Sequence, residues 1–165
     1  MREDDGMSDT PKLTLLGAGT TAYRHDHPEA AMLEVFDNQH PGTPWVVEFE
    51  CTEFTSLCPM TGQPDFGRIR IHYAPAELCV ESKSLKLYLG AYRNHGSFHE
   101  DCVNRIADDI CARIAPRYLR VFGDFNVRGG IAIKPLAVRV APTISDSERA
   151  QVLELLGHHD ALTRA

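Results

Sequence analysis

A thiol and a carboxylate lie seven residues apart in a segment rich in turn-forming residues. Residues 54–67 contain Cys58 and Asp65 together with two prolines and two glycines. Catalytic groups concentrate in loops between strands, and a cysteine becomes a nucleophile when its surroundings lower its pKa. Asp65 is near enough in sequence to exchange a proton across the loop. The pattern favours covalent chemistry at Cys58, with two simpler interpretations open: a small buried side chain for Cys58 and a turn-forming role for Asp65.

Two glutamates further along the chain, Glu81 and Glu100, are candidates for ligand binding. A carboxylate accepts paired hydrogen bonds from a heterocycle with adjacent N–H groups. His99, beside Glu100, would add a second polar contact or a proton relay. Glu100 also follows Ser97 at the spacing of a capping box, which marks the start of a helix. The sequence therefore leaves two roles open for Glu100, helix capping and ligand binding.

Lys83, Lys86 and Arg93 form a basic group on and around a predicted helix. Such charges usually form a solvated helix face. An anionic ligand, such as a phosphorylated cofactor, is the alternative interpretation. Arg128, which precedes two glycines in a predicted hairpin turn, would add to the binding of such a ligand.

The remaining cysteines and the histidines do not have the spacing of a metal site. Three cysteines occupy apolar positions of predicted strands or helices, where they would pack as small apolar side chains: Cys51, Cys79 and Cys102. No pair among the five cysteines and eight histidines combines ligand spacing with a credible context, so we expect no metal. The acidic N-terminus has no apolar signal core. An odd number of cysteines without CxxC spacing then predicts reduced thiols in a cytoplasmic protein.

Composition limits the class of protein. A chain of 165 residues with 43% hydrophobic and 24% charged residues is typical of one globular domain. The net charge of −6 argues against nucleic-acid binding, which needs a clustered basic surface. No apolar run approaches the roughly 18–20 residues that a membrane-spanning helix requires. The expected ligand is therefore a small molecule.

The apolar periodicity predicts the order of the elements. Strand-like alternation covers residues 45–52 and 68–73, and a short apolar strand follows at 78–80. Antiparallel pairing of the first two strands would set two glutamates opposite two arginines: Glu48, Glu50, Arg68 and Arg70. Helical patterns follow at 82–94 and 97–114, and then strands at about 119–127 and 131–140. A second capping box, Ser145 with Glu148, starts a C-terminal helix that we expect to end at Gly157.

The order strand, strand, helix, helix, strand, strand predicts an α+β fold rather than a βαβ alternation. We divide the chain into an irregular, partly disordered N-terminal arm at 1–41, a catalytic domain at 42–142, and a C-terminal helix and tail of the same domain at 143–165. A sheet of four strands leaves two open edges, and several subunits joined into a barrel would close them. A homo-oligomer is therefore expected.

Three spaced motifs resemble one enzyme family. Residues 81–88 read ESKSLKLY, residues 57–59 and 63–66 read LCP and QPDF, and residues 98–100 read FHE. These motifs resemble the signature and active-site segments of the NADPH-dependent 7-cyano-7-deazaguanine reductases, the nitrile reductases of queuosine biosynthesis. The resemblance covers roughly residues 42–140, and the length of the chain is similar to that of the single-module branch of the family.

The resemblance implies a fold, a mechanism and a set of site residues. The fold would be the tunnelling fold, in which ββααββ subunits assemble into barrels with active sites near subunit interfaces. Cys58 would attack the nitrile to form a covalent thioimide, Asp65 would supply protons, and two NADPH would deliver hydrides to yield the aminomethyl product. Substrate contacts would come from five residues: Val80, Glu81, Ser82, His99 and Glu100. NADPH would be bound by Lys83 and Lys86, and the basic residues Arg93 and Arg128 join this set.

Other classes of protein remain alternatives. Residues 55–59 read TSLCP and are similar to the T-x-x-C-P of thiol peroxidases, although the upstream proline of that motif is missing and the order of elements disfavours a thioredoxin-like fold. A purine- or pterin-binding oligomer with an inert Cys58 is a second alternative. A zinc-dependent cyclohydrolase is a third, for which the spacing of metal ligands is poor.

Overall fold

The computed structural model describes residues 14–15 and 22–163. Residues 1–13 and 16–21 of the predicted N-terminal arm, on which its expected disorder falls, lie outside the described residues. Within the described part of the arm, a short 3-10 helix at Ala30–Met32 precedes strand β1, Val35–Asp37. The described part of the arm thus contributes regular structure to the fold.

An antiparallel sheet of four strands forms the centre of the fold. Its strands are β2 (Val47–Leu57), β3 (Pro64–Ala74), β5 (Tyr118–Phe125) and β6 (Leu136–Val140), in that spatial order. The short β4, Leu78–Val80, pairs instead with β1 in a second, two-stranded sheet. The predicted α+β class is confirmed. Among the described residues, β2 and β6 are the edges of the larger sheet.

The β2–β3 hairpin contains a bulge that sets its register. The pairing shifts between Cys51 and Phe54, so that β2 carries one extra residue there. Glu50 pairs with Arg70, as expected, and their charged atoms are 3.6 Å apart. The expected pairing of Glu48 with an arginine is wrong, because Glu48 lies opposite His72 in this register. The predicted partner Arg68 lies opposite Asp124 of β5.

Two helices cover one face of the sheet. Helix α1, Ser82–Gly90, is shorter than predicted because residues 91–94 form turns. Helix α2, His99–Ile114, packs its apolar stripe on alternate residues of β3 and β5. The two helices are joined by a hydrogen bond of 2.7 Å from the Tyr88 hydroxyl to Oδ2 of Asp109. This layer of α1, α2 and the sheet contains most of the buried apolar side chains.

The third helix, α3, spans Asp146–Thr163 and packs on the opposite face of the sheet. The predicted capping box is confirmed, since Ser145 Oγ and Glu148 Oε2 are 2.8 Å apart and the Glu148 N–H donates to Ser145 Oγ. The helix continues through Gly157 instead of ending there, because Val152 and Leu156 bury against the sheet. In the described part of the chain, no helix is long and apolar enough to cross a bilayer.

Candidate active site

Cys58 lies at the end of β2, where a tight loop holds its backbone. The Cys58 N–H donates to the Gln63 carbonyl at 2.8 Å, and the Gly62 N–H donates to the Cys58 carbonyl at 2.9 Å. Gly62 has a φ of +67°, a left-handed conformation that glycine adopts without strain. The loop residues 58–63 therefore form a closed turn whose position is fixed by the hairpin on either side.

The same turn activates the thiol. Hydrogen bonds from the Thr61 hydroxyl, and then from the N–H groups of Met60 and Thr61, lower the pKa of Cys58 to about 7. Arg128 contributes a smaller lowering, while partial burial opposes these effects. The thiolate is the nucleophilic form of cysteine. Cys58 therefore ionises more readily near neutral pH than the other four cysteines, since burial raises the pKa of each of those thiols.

Asp65 lies just inside β3 and is only 4% exposed. Its Oδ1 is 2.5 Å from Nη1 of Arg128, and its Oδ2 is 3.3 Å from Nε2 of His99. The His99 ring stacks on Phe125, with ring centroids 4.0 Å apart, which fixes the imidazole beside the carboxylate. Asp65 is therefore held in place between a guanidinium and an imidazole.

Cys58 and Asp65 line one cavity of about 320 Å³. Its other polar walls include three residues of the predicted site: His99, Glu100 and Arg128. Apolar side chains complete it, among them Phe98 and Ile131, both of which are more than half exposed. The volume is within the range of small-molecule sites, and the mixture of apolar walls with a few polar groups is typical of them.

Glu100 does not cap α2. The N-cap of this helix is Phe98, which makes no capping hydrogen bond, and the Ser97 hydroxyl donates weakly to the Phe98 carbonyl at 3.4 Å. The capping box proposed for Ser97 and Glu100 is therefore wrong. The carboxylate of Glu100 is exposed at the cavity and makes no hydrogen bond to another described residue. It remains available to a ligand.

Glu81, in contrast, is a helix cap. It is 5% exposed, and its carboxylate accepts the N–H groups of Lys83 at 2.8 Å and Ser84 at 2.7 Å, at the start of α1. Neither Glu81 nor its neighbour Val80 lines the cavity around Cys58 within this one chain. The predicted substrate residues are therefore divided, with His99 and Glu100 at Cys58 and the residues 80–82 elsewhere.

The predicted cofactor residues are divided as well. Lys86 and Arg93 line a second cavity of about 380 Å³ between α1 and β2, together with Ser82. Two carboxylates, Glu50 and Glu53, also line it. The ammonium group of Lys83 donates to the carbonyl of Leu15 instead, and Arg128 lies beside Cys58 and Asp65. Of the four predicted cofactor residues, Lys86 and Arg93 are thus the two that line one cavity of the described structure.

Two residues that shape the site were not predicted from the sequence. Thr61 contributes most to lowering the pKa of Cys58, and Gln63 accepts a hydrogen bond from Nη2 of Arg128 at 2.5 Å. Thr61 follows Cys58 by three residues. A hydroxyl at this spacing can turn back on a residue at the start of a tight turn, so the sequence did contain a signal for it.

Comparisons with known proteins agree on one family. A family model described as QueF-like protein matches residues 64–143. A protein of Streptococcus thermophilus is 56% identical over 123 residues, which cover 74% of this chain and 75% of that protein. A protein of Neisseria meningitidis serogroup C is 58% identical over 126 residues, covering 76% and 79% respectively. Both relatives are named NADPH-dependent 7-cyano-7-deazaguanine reductase.

A solved structure supports the fold. The crystal structure of the archaeosine synthase QueF-Like in the apo form aligns with a TM-score of 0.54 at 20% sequence identity, covering 58% of this chain and 94% of that one. This likeness concerns the fold alone. The identity to the two relatives assigns the chain, which belongs to the family of NADPH-dependent 7-cyano-7-deazaguanine reductases.

Proposed function

We propose that this protein reduces the nitrile of 7-cyano-7-deazaguanine to an aminomethyl group, with NADPH as the reductant, in the biosynthesis of queuosine. The observation that carries the proposal is the single cavity shared by Cys58, Asp65, His99 and Glu100, in which hydrogen bonds from the surrounding turn lower the pKa of Cys58 to about 7. The names of the relatives supply the substrate and the reductant.

The first step is addition of the Cys58 thiolate to the nitrile carbon. A carbon–sulfur bond forms, one π bond of the nitrile breaks, and its electron pair moves to nitrogen, which takes a proton. Asp65 is the proposed source of that proton because its carboxyl group lines the same cavity as the thiol. His99, 3.3 Å from Asp65, would relay protons to it. The product of this step is a thioimide.

Reduction then requires two hydrides, which NADPH supplies one at a time. The thioimide carbon accepts the first hydride, and its nitrogen accepts a second proton. The carbon–sulfur bond breaks, and its electron pair returns to the sulfur of Cys58, which leaves a protonated imine. The second hydride reduces the imine carbon to the amine. In total, one nitrile takes up two hydrides and two protons, and two NADPH become two NADP⁺.

Glu100 is the proposed recognition residue for the base. Its exposed carboxylate at the cavity would accept two parallel hydrogen bonds from the adjacent N–H groups of a guanine-like edge. A site built for those donors discriminates against bases that lack them, since the carboxylate would then lose its solvation without compensation. His99, stacked on Phe125, would give a second contact from one side.

Lys86 and Arg93 are the proposed phosphate contacts for NADPH. Both line the second cavity, which also has the aromatic side chains of Tyr23 and Phe49. The residues fit an anionic nucleotide only in part. Glu50 and Glu53 line the same cavity, and their negative charges would repel phosphate. Arg70, 3.6 Å from Glu50, offsets one of these charges. Lys83, near the N-terminal segment, and Arg128, near Cys58, are the other two proposed contacts for NADPH.

The division of the predicted site supports a homo-oligomer. Residues 80–82 do not line the Cys58 cavity of their own chain, so we propose that they complete the site of a neighbouring subunit. The open edges β2 and β6 would pair between subunits and close a barrel. Leu136 and Val138 on the edge strand β6 are exposed and would be covered in this way. Native mass spectrometry of the purified protein checks the expectation, and a monomer that is fully active would contradict it.

The test of the function follows NADPH oxidation and the amine product together. We expect two NADPH to be consumed per nitrile, and intact-protein mass spectrometry without NADPH to show one substrate adduct on Cys58. Cys58→Ala should abolish adduct and turnover, while the control Cys111→Ala should retain both, because burial raises the pKa of Cys111. Amine formation by Cys58→Ala at the wild-type rate would refute the covalent mechanism. Peroxide consumption without nitrile-dependent NADPH oxidation would favour a thiol peroxidase.

The Asp65→Asn variant tests the proposed proton source while leaving the nucleophile in place. This variant should still bind the base and retain Cys58, but the proton needed at nitrogen would be missing. We expect turnover to fall by about 10²-fold or more, the usual contribution of a positioned general acid. Reduction at the wild-type rate by Asp65→Asn would count against the proton role of Asp65 and leave the role of Cys58 unaffected.

A further inference from the structure

A second polar cluster lies on the face of the sheet that carries α3. Its members are Glu48 of β2, His72 of β3 and His159 of α3. Glu48 and His72 are directly opposite each other in the β2–β3 pairing. Helix α3 packs on this face through Val152 and Leu156, which brings His159 over the pair. The reaction proposed above uses none of the three residues.

The three side chains point ligand atoms at one another. Nε2 of His72 is 3.4 Å from Oε1 of Glu48, and Nδ1 of His159 is 3.3 Å from Oε2 of Glu48. One ligand atom from each residue lies within 4.8 Å of the other two. Ligand atoms bound at about 2.0–2.2 Å to a common zinc ion are separated by comparable distances. A small contraction would therefore bring all three onto one ion.

The buried imidazole of His72 is a second observation that points to a ligand. Its side chain is only 4% exposed, and among the described residues neither of its ring nitrogens has a hydrogen-bond partner. Nδ1 of His159 also lacks such a partner. A buried polar atom without a partner costs free energy, and native structures rarely retain one without a bound water or ion. Nε2 of His72 faces the Glu48 carboxylate, toward the centre of the cluster.

We propose that Glu48, His72 and His159 bind a divalent transition-metal ion, with Zn²⁺ as the best match to two imidazoles and one carboxylate. Water would complete the coordination. The ion would join two strands to the C-terminal helix, so its main effect would be on the stability of this packing. The proposal does not depend on the nitrile reductase activity.

The neighbouring charges are compatible with a cation. Arg120 lies opposite His72 in the β3–β5 pairing, and its Nη2 lies 2.5 Å from Oδ1 of Asp160. That oxygen is also 3.9 Å from Nε2 of His72. Arg70 is directed to Glu50.

The experiment titrates the full-length, metal-stripped protein with Zn²⁺ and with Co²⁺. We expect one ion per chain by calorimetry and, with Co²⁺, a visible spectrum of nitrogen and oxygen ligands. His159→Gln and Glu48→Gln should weaken binding by at least about tenfold. The matched control is His158→Gln, because His158 is an exposed neighbour on the same helix and is outside the cluster. It should bind as the wild type does.

Two further measurements make the outcome decisive. Cys58→Ala removes the most reactive thiol, and Zn²⁺ affinity should not change; a loss of binding in this variant would show that the ion sits at Cys58 and would overturn the proposal. Zn²⁺ should raise the midpoint of thermal unfolding of the wild type and of His158→Gln but not of His159→Gln. Equal affinity and equal stabilisation in His159→Gln and wild type, or no binding in any variant, would also overturn it.

Discussion

Arg128 donates from Nη1 to Oδ1 of Asp65 at 2.5 Å and thereby joins two loops that frame the Cys58 cavity. Arg128 lies at the turn that follows β5, which Gly129 and Gly130 form with φ of 57° and 82°. Asp65 belongs to the hairpin that carries Cys58. The same guanidinium also donates to Gln63 in that hairpin. One side chain therefore sets the distance between the nucleophile and the opposite wall of its cavity.

Loss of this connection should reduce catalysis. Arg128→Gln would leave Asp65 without its ionic partner and free the two loops to separate, so we expect kcat to fall by at least about tenfold. Arg128→Lys retains the charge but not the planar fork, and its kcat should be intermediate. Steady-state NADPH oxidation gives both values. Lys134→Gln removes an exposed cation paired with Asp124, outside the cavity, and should leave kcat unchanged. Equal rates for Arg128→Gln and wild type would refute this assignment.

The reactivity of Cys58 should follow pH with a midpoint near 7. Its pKa is lowered to about 7 from 9.0, so the thiolate fraction, and with it the rate of alkylation by iodoacetamide, should rise through pH 7 and level off above about pH 8. Thr61→Val removes the largest contribution to this lowering. Its alkylation midpoint should move up by more than that of Arg128→Gln, since Arg128 contributes least. A midpoint near 9 in the wild type would contradict the geometry of the turn.

Glu81 should matter for stability as well as for substrate. Glu81→Ala removes the acceptor for the N–H groups at the start of α1, which should lower the free energy of unfolding by about 0.5–2 kcal/mol. Urea denaturation followed by circular dichroism measures it. The control is Glu77→Ala, because Glu77 is exposed and lies outside α1, and it should stay within about 0.5 kcal/mol of the wild type. Unchanged stability of Glu81→Ala would leave ligand binding as its role.

Gly123 should be needed for the position of His99. A Cβ at this position would lie 2.7 Å from Cε2 of Phe125 and 2.8 Å from Cγ2 of Val103. Gly123→Ala should displace the Phe125 ring on which His99 stacks and destabilise the protein by about 1–3 kcal/mol, the usual cost of overpacking. Turnover should fall as well.

Gly157→Ala should have the opposite effect on stability. A Cβ at this position meets nothing within 4 Å, so the substitution should stabilise α3 by about 0.5–1 kcal/mol. Chemical denaturation compares the two.

Local patterns predicted most of the elements. The alternation in β2 and β3, the helical stripe of α2 and the turn at Arg128 are all confirmed, because each depends on neighbours within a few residues. The pairing of β1 with β4 was not predicted, since three-residue strands carry too little periodicity. The continuation of α3 through Gly157 was missed for a related reason. Contacts of Leu156 with the sheet outweigh the low helix propensity of glycine, and they depend on distant residues.

The candidate site also combines features that neighbouring residues predict with contacts between residues far apart in the chain. Cys58 and Asp65 were found because their loop is recognisable in the sequence, and the structure brings both into one cavity. The contact of Arg128 with Asp65 joins residues 63 apart in the chain, and no spacing rule predicts it. The cluster of Glu48, His72 and His159 also escaped a search for metal-ligand spacing. Its members meet only after the sheet forms and α3 packs on it.

The bulge in β2 decides which positions of the strand beyond it face the core. Side chains alternate between the two faces of a strand, and Phe49 and Cys51 pack toward α2 before the bulge, whereas Phe54 and Ser56 are buried after it. Because of the extra residue, the side chains that face the core are at odd-numbered positions before the bulge and at even-numbered positions after it. Deleting Glu53 would restore strict alternation and leave Phe54 and Ser56 on the core face, opposite Gly67 and Asp65. The bulge thus absorbs one extra residue upstream of Cys58 without turning the hairpin tip over.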